Sequence, residues 1–178
     1  MPYLKGPKTL LRPLTIQDLE KVHTLLSLPE TDQYNTLGIP TDIEKTKSII
    51  FPLIDDNLSN DPKSYTLAIE DNLSPKFLGL IGLKIGSEKY KRGEVWFKIH
   101  PNYWNMGYGT EALRLLLDFA FDTLELHRIE AGCAVDNIGS IKVLEKCGMK
   151  REGRGRQVLP LKSGWSDNFE YAILESDE

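Results

Sequence analysis

The chain is poor in the residues that build metal centres and covalent staples. Among 178 residues there are two cysteines, Cys133 and Cys147, and three histidines. The cysteines have no metal-ligand spacing and form no disulfide framework, so no metal is expected. Both read as small apolar core residues. No apolar run approaches the about 20 residues of a membrane span. Residues 1–8 lack the apolar segment of a signal peptide, so a cytoplasmic protein without a membrane partner is expected. Basic residues are not in excess: 22 Lys+Arg against 26 Asp+Glu give a net charge of −4. That argues against nucleic acid as a partner. Repeats, low-complexity tracts and linkers are absent.

What is present suits one globular domain spanning residues 1–178. The hydrophobic set makes up 40% and charged residues 27%, outside the range of a disordered chain. A chain of this length buries about 70% of its unfolded surface.

Thr9 to Leu14 reads as a strand, and Thr15-Ile16-Gln17-Asp18 as a capping-box start. Leu19, Val22, Leu25 and Leu26 then mark one helical face. Pro29 to Pro40 reads as a loop. Thr41-Asp42-Ile43-Glu44 opens a second helix toward Ile54, which Pro52 should kink or end. Strands follow at Tyr65–Ile69, Phe77–Ile85 and Glu94–His100, as an antiparallel meander. In the third, Val95, Phe97 and Ile99 face one side, and Glu94, Trp96, Lys98 and His100 the other. Glu111 to Leu124 is a helix with a broad apolar face. Arg128 to Val135 is a strand, and Asn137 to Lys146 a helix closed by Gly148. Met149–Leu159 and Phe169–Leu174 form a closing hairpin. The order predicts an α+β (mixed α/β) domain whose sheet has one parallel, helix-connected pair.

The stretch from Val95 to Ala112 carries the chemistry. A strand ends, a tight loop follows, and Gly107 and Gly109 stand at the mouth of a long helix. Glycine lets successive backbone N–H groups converge. A helix N-terminus adds unpaired donors and positive partial charge. The backbone amides of Asn105, Met106, Gly107, Tyr108, Gly109 and Thr110 are therefore expected to cradle an anionic cofactor without a lysine. No Gly-Lys-Ser/Thr follows, which excludes a P-loop. The third glycine and parallel strands of a dinucleotide fingerprint are missing. In the second constellation, Asn137 opens a helix as its N-cap, and Ser140 stands in its first turn.

Taken in order, these residues resemble the GNAT superfamily of N-acetyltransferases, in particular its RimJ/RimL-like branch. Leu10-Leu11-Arg12-Pro13-Leu14-Thr15 with Asp18-Leu19 resembles the family's first strand and helix. Trp104-Asn105-Met106-Gly107-Tyr108-Gly109-Thr110-Glu111-Ala112 resembles its acetyl-CoA loop, with Trp104 where Gln or Arg is usual. Arg128-Ile129-Glu130-Ala131, then Asn137 and Ser140, resembles its fifth strand and following helix. Leu144-Glu145-Lys146-Cys147-Gly148-Met149 resembles that helix's exit. The resemblance implies a twisted, mostly antiparallel sheet of about seven strands with one splayed parallel pair, flanked by about four helices. It also implies acetyl-CoA as co-substrate. The pantetheine arm would pair with backbone near Ile99 and His100 and touch Asn137, and the pyrophosphate would rest on Asn105 to Thr110. A backbone N–H near Ile99 would stabilise the oxyanion, and Ser140 would protonate the leaving thiolate.

The acceptor is then a primary amine, either a protein N-terminus or a small amine. A lysine-type amine with pKa about 10.4 needs a general base more than an α-amine with pKa about 8. Glu94 is the first candidate for that base. His100, Asp167, Glu170 and a water relay are the others. Trp96, Tyr103, Trp104 and Tyr34 are candidates to line the acceptor cleft, covered by the Pro29 to Pro40 loop. A non-catalytic CoA-binding sensor or scaffold is the alternative function. Either a monomer or a homodimer fits the chain.

Overall fold

A computed structural model describes residues 3–177. In chain order the elements are β1 (Leu4–Lys5), β2 (Thr9–Pro13), α1 (Leu19–Leu26), α2 (Pro29–Asp32), α3 (Ile43–Asn57), β3 (Ser64–Asp71), β4 (Phe77–Ile85), β5 (Arg92–Ile99), α4 (Tyr108–Asp118), β6 (Arg128–Ala134), α5 (Ile138–Lys146), β7 (Lys150–Leu161) and β8 (Gly164–Leu174). The strands form one sheet in the order β1-β2-β3-β4-β5-β6-β8-β7. All neighbours are antiparallel except β5 and β6. The expected α+β sheet with one parallel pair is therefore present.

Eight strands and five α-helices are described where about seven and four were expected. The extra strand, β1, lies in the Pro- and Lys-bearing N-terminal stretch. Only its pairing with β2, Leu4 opposite Leu11, makes it a strand. The extra helix, α2, opens the segment read as a loop, with Pro29 in its first turn, where a missing N–H costs nothing.

Two apolar clusters lie on the two faces of the sheet. The larger joins Leu67, Ile69, Ile81, Val95, Ile99 and Ile129 to Ala112, Leu113, Leu116 and Leu117 of α4. The smaller joins Leu80 to Leu14, to Val22, Leu25 and Leu26 of α1, and to Ile50 of α3. Val95 and Ile99 are buried while Glu94 and Trp96 are exposed, as the alternation along β5 requires. Lys98 sits opposite Leu80 across the β4–β5 ladder. Paired residues project to the same face, so Lys98 lies on the α1 side.

Thr15 and Asp18 do cap the entry to α1: the Thr15 N–H donates to the Asp18 carboxylate at 3.1 Å. Pro52, however, does not end α3, which runs on to Asn57. The last turn is fastened from outside. Asn57 is buried, donates to the Thr66 carbonyl at 2.8 Å and accepts the Thr66 N–H at 2.9 Å. These two bonds to β3, with Ile50 packed below, offset the donor lost at the proline. Among the described residues, no helix is long and apolar enough to cross a membrane.

Candidate active site

The sheet opens between β5 and β6. They pair only where Arg92, Gly93 and Glu94 face Arg128, Ile129 and Glu130. Past that point β5 runs to Ile99 beside β4, and β6 runs to Ala134 beside β8. The Gly86 N–H donates to the Arg92 carbonyl and the His100 N–H to the Leu78 carbonyl, both at 2.8 Å. Even-numbered residues of β5 thus turn their backbone toward β4, and alternation turns Phe97 and Ile99 toward the gap. The Ile99 carbonyl accepts the Trp104 indole N–H at 2.8 Å. Of the two expected pantetheine contacts, Ile99 keeps its N–H directed into the gap, whereas the His100 N–H is held by the sheet. Trp104 takes a defined part here: it fixes the end of β5.

The loop after β5 delivers the chain to α4. Asn105 (φ 60°) and Gly107 (φ 85°) both occupy the left-handed region, and Gly107 is the N-cap of α4. The Glu111 N–H is bonded back to the Gly107 carbonyl at 3.0 Å. The N–H groups of Tyr108, Gly109 and Thr110 precede that first helical bond and have no partner within the helix. Gly109 packs this turn tightly. A Cβ there would stand 3.5 Å from a Val143 methyl on α5 and 3.7 Å from Ile99. The ends of β5, α4 and α5 therefore converge at the mouth of the gap.

Side chains distant in sequence complete the cradle. The Lys8 ammonium donates to the Met106 carbonyl at 3.3 Å. It is held there because Glu111 accepts the Lys8 N–H at 2.7 Å, the Thr9 N–H at 2.8 Å and the Thr9 hydroxyl at 3.0 Å. The Tyr108 hydroxyl donates to Asp71 at 2.9 Å. The N–H of Leu73 and that hydroxyl hold the Asp71 carboxyl below its usual range. A cleft of about 500 Å³ adjoins the cradle, bordered by Lys8, Gly107, Thr110, Glu111, Arg114 and Lys146. Lys8, Arg114 and Lys146 escaped the sequence reading, because nothing local marks a lysine before β2 as a neighbour of residue 106. Unpaired amides, two left-handed turns and flanking cations suit a pyrophosphate-bearing cofactor.

Asn137 is the N-cap of α5, its side-chain oxygen accepting the Ser140 N–H at 3.1 Å. Glu94 is exposed at the closed end of the gap, opposite Lys84 on β4 and Glu130 on β6. It lies five residues before Ile99, roughly 17 Å of extended strand. The His100 ring accepts the Asn102 N–H at 3.2 Å and stands 5.6 Å from the Tyr103 ring. Asp167 is engaged by the Gln157 N–H and the Arg154 guanidinium, which hold its carboxyl down. Tyr103 packs on the α4 side, edge-on to Tyr108. Trp96 lies on the other face, flat across Gly82, where a Cβ would stand 2.4 Å from the indole. A second cleft of about 360 Å³ runs between residues 32–39 and the β7–β8 hairpin, bordered by Asp32, Asn35, Thr36, Ile39, Pro160 and Lys162. Cys133 and Cys147 are buried, and burial pushes both thiols up to about 11. They behave as core residues, not nucleophiles.

Comparison with known proteins agrees with this geometry. The acetyltransferase (GNAT) domain family matches residues 8–150. The chain is 33% identical to the uncharacterized N-acetyltransferase YnaD of Bacillus subtilis over 98% of both chains. A GNAT-family acetyltransferase from Bacillus anthracis superposes with a TM-score of 0.85 at 28% identity, covering 98% of this chain and 99% of that one. Spermidine N-acetyltransferase from Vibrio cholerae, solved with CoA and spermine, superposes with a TM-score of 0.85 at 23% identity, covering 97% and 98%. The last likeness is one of fold. The splayed strands, the amide cradle at α4 and these matches along the whole chain place the protein in the GNAT family of acetyl-CoA-dependent N-acetyltransferases.

Proposed function

We propose that the chain acetylates a primary amine presented from the cleft between residues 32–39 and the β7–β8 hairpin. The observation that carries this reading is the opening between β5 and β6. It leads from the amide cradle at Gly107 to the sheet face that carries Trp96 and Lys98. Bound acetyl-CoA supplies an activated thioester whose acetyl group passes to the amine.

The residues divide the work as follows. The amides of Asn105 to Thr110 bind the pyrophosphate, with Lys8 beside them, and Arg114 and Lys146 meet the remaining phosphate charge. The cofactor is a polyanion and the chain carries −4. Local amides and three placed cations, not overall charge, account for its binding. The Asn137 side-chain N–H₂, not used in capping, is a donor for the pantetheine arm. The Ile99 N–H donates to the carbonyl oxygen on which charge develops. Glu94, roughly 17 Å along β5 from Ile99, takes the amine proton through a relay of several waters, and the Ser140 hydroxyl donates a proton to the leaving sulfur.

The test is thiol release from acetyl-CoA across a panel of amines, including peptides with varied N-termini. Transfer to at least one primary amine is expected. CoA binding with no transfer to any of them would overturn the reading. Ser140→Ala should lower kcat by about 100-fold or more and leave the Kd for CoA within about twofold. Its N–H, which caps α5 through Asn137, survives the substitution. An unchanged kcat would leave Ser140 as a first-turn residue only.

A further inference from the structure

The cleft proposed to hold the acceptor is bordered by a carboxylate that nothing in the fold satisfies. Asp32, at the end of α2, is 8% exposed and lines the cleft. Its Oδ1 is buried without a hydrogen-bond partner among the described residues. Among those residues no salt bridge reaches either oxygen. The other buried carboxylates are treated differently. The Arg12 guanidinium places one N–H on each oxygen of Asp18, at 2.8 and 2.7 Å, and a third bond on Glu70 at 2.7 Å. Thr31, beside Asp32 and equally buried, donates to the carbonyls of Leu25 and Leu28. Asp32 alone among these groups faces an open cleft.

A buried carboxylate without donors calls for N–H groups from a ligand. The rest of the lining narrows the kind. Ile39 and Pro160 are apolar, and Asn35 and Thr36 are polar without charge. Pro160 pairs with Trp165 across the hairpin, so both project to one side. Trp165 is 67% exposed there. Lys162, on the hairpin, is exposed and does not pair with Asp32. Lys84, Glu94 and Lys98 project from the neighbouring sheet face and do not border the cleft. Selectivity therefore comes from the lining and not from a sum of charges. A guanidinium suits this lining better than an ammonium. It presents a planar fork of N–H groups to both carboxylate oxygens. It is also weakly hydrated and stacks on flat apolar and aromatic surfaces, where an ammonium would lose a strong hydration shell. The Asp χ2 torsion is broad, so a turn of the carboxylate brings both oxygens to the cleft edge. The cleft volume of about 360 Å³ accommodates such a group with part of its alkyl chain.

We infer that the cleft binds a guanidinium carried by the amine acceptor, with its N–H groups on the Asp32 carboxylate and its faces against Ile39, Pro160 and Trp165. The inference rests on the reading of this cleft as the acceptor site. A small guanidinium-bearing amine and a peptide with arginine beside its N-terminus offer the same chemistry. Two arms of the experiment separate them.

The experiment measures kcat/KM on the full chain with acetyl-CoA and two sets of acceptors. The first set shares one four-carbon chain: 1-amino-4-guanidinobutane, 1,4-diaminobutane and butylamine. The second is a tripeptide with arginine in second place and its lysine counterpart. In at least one set the guanidinium acceptor should exceed its ammonium counterpart by about tenfold or more, the scale of one charge-assisted contact. The set that shows it identifies the source. Asp32→Asn should remove most of that preference, and leave kcat/KM for butylamine and the KM for acetyl-CoA unchanged. Trp165→Ala, at an exposed position, should reduce the preference in the same direction if Asp32→Asn does not fold. An ammonium acceptor equal or superior in both sets would overturn this inference alone. So would a guanidinium preference unaltered in both variants. Absence of transfer to every amine would overturn the acetylation reading, and the inference with it.

Discussion

Gly107→Val is expected to weaken CoA binding by about 100-fold or more, or about 2.7 kcal/mol. Gly107 caps α4 at φ 85°, where an L-residue costs roughly 1–2 kcal/mol and a β-branched one more. The chain escapes that strain by rotating the 106–108 peptides, which turns the converging N–H groups away from the ligand. If it keeps the conformation instead, the isopropyl group enters the cradle. The added Cβ meets only the Lys8 ammonium within 4 Å, at 3.6 Å. Packing therefore does not oppose the substitution, and the fold should persist. α4 is held by Ala112, Leu113, Leu116 and Leu117, all buried. Calorimetric titration with CoA, beside a melting curve without it, separates the two effects. Gly107→Ala should fall between wild type and Val. An unchanged Kd in the Val variant would show that the pyrophosphate lies elsewhere.

Arg12→Met is expected to cost about 3–5 kcal/mol of stability, the loss typical of one partner removed from a buried ion pair. Arg12 on β2 donates to both oxygens of Asp18, at 2.8 and 2.7 Å, and to Glu70 on β3 at 2.7 Å. The Asp18 side chain is 1% exposed and that of Arg12 15%, so solvent screening offers little relief. For a chain of this size the loss lowers Tm by about 10 °C. The deficit should depend on pH with a definite sign. Burial pushes the Asp18 carboxyl up, but Arg12 and the Thr15 N–H outweigh it and hold the group below its usual range. The wild-type contribution is therefore complete above the unfolded pKa of about 3.9. It is lost as pH falls through the lower folded value. Without Arg12, burial dominates and protonation of Asp18 relieves the variant on acidification. The two stability curves should converge below about pH 4, as read by urea unfolding at pH 7 and at pH 3. A constant gap would assign the effect to lost packing of the arginine stem.

Much of this architecture was legible because its causes are local. Apolar period marks α4 at Ala112, Leu113, Leu116 and Leu117. Alternation marks β5, and Asn137 and Gly148 bound α5 at the predicted positions. Where expectation and structure part, a distant partner intervenes. β1 is a strand because β2 lies beside it. α3 passes Pro52 because Thr66 fastens Asn57. The cradle gains Lys8 because Glu111 binds the chain at Lys8 and Thr9.

The sequence by itself determined the α+β order of elements, the place of the glycine loop at a helix mouth, and the family. The first two follow from residues within a turn or two of one another, where propensity, periodicity and capping act, and the family from the ordered resemblance of four such stretches along the chain. Only the tertiary structure decided which backbone N–H faces the gap, which cations flank the cradle, and which charges pair across the sheet. The Ile99 N–H is directed by the register of β5 on β4. Arg12 and Glu70 meet because β2 and β3 are neighbours in the sheet. Asp32 and Lys162 border one cleft because the α2 segment and the β7–β8 hairpin meet there. Such pairings depend on strand order and on packing across the sheet, which short-range preferences do not encode.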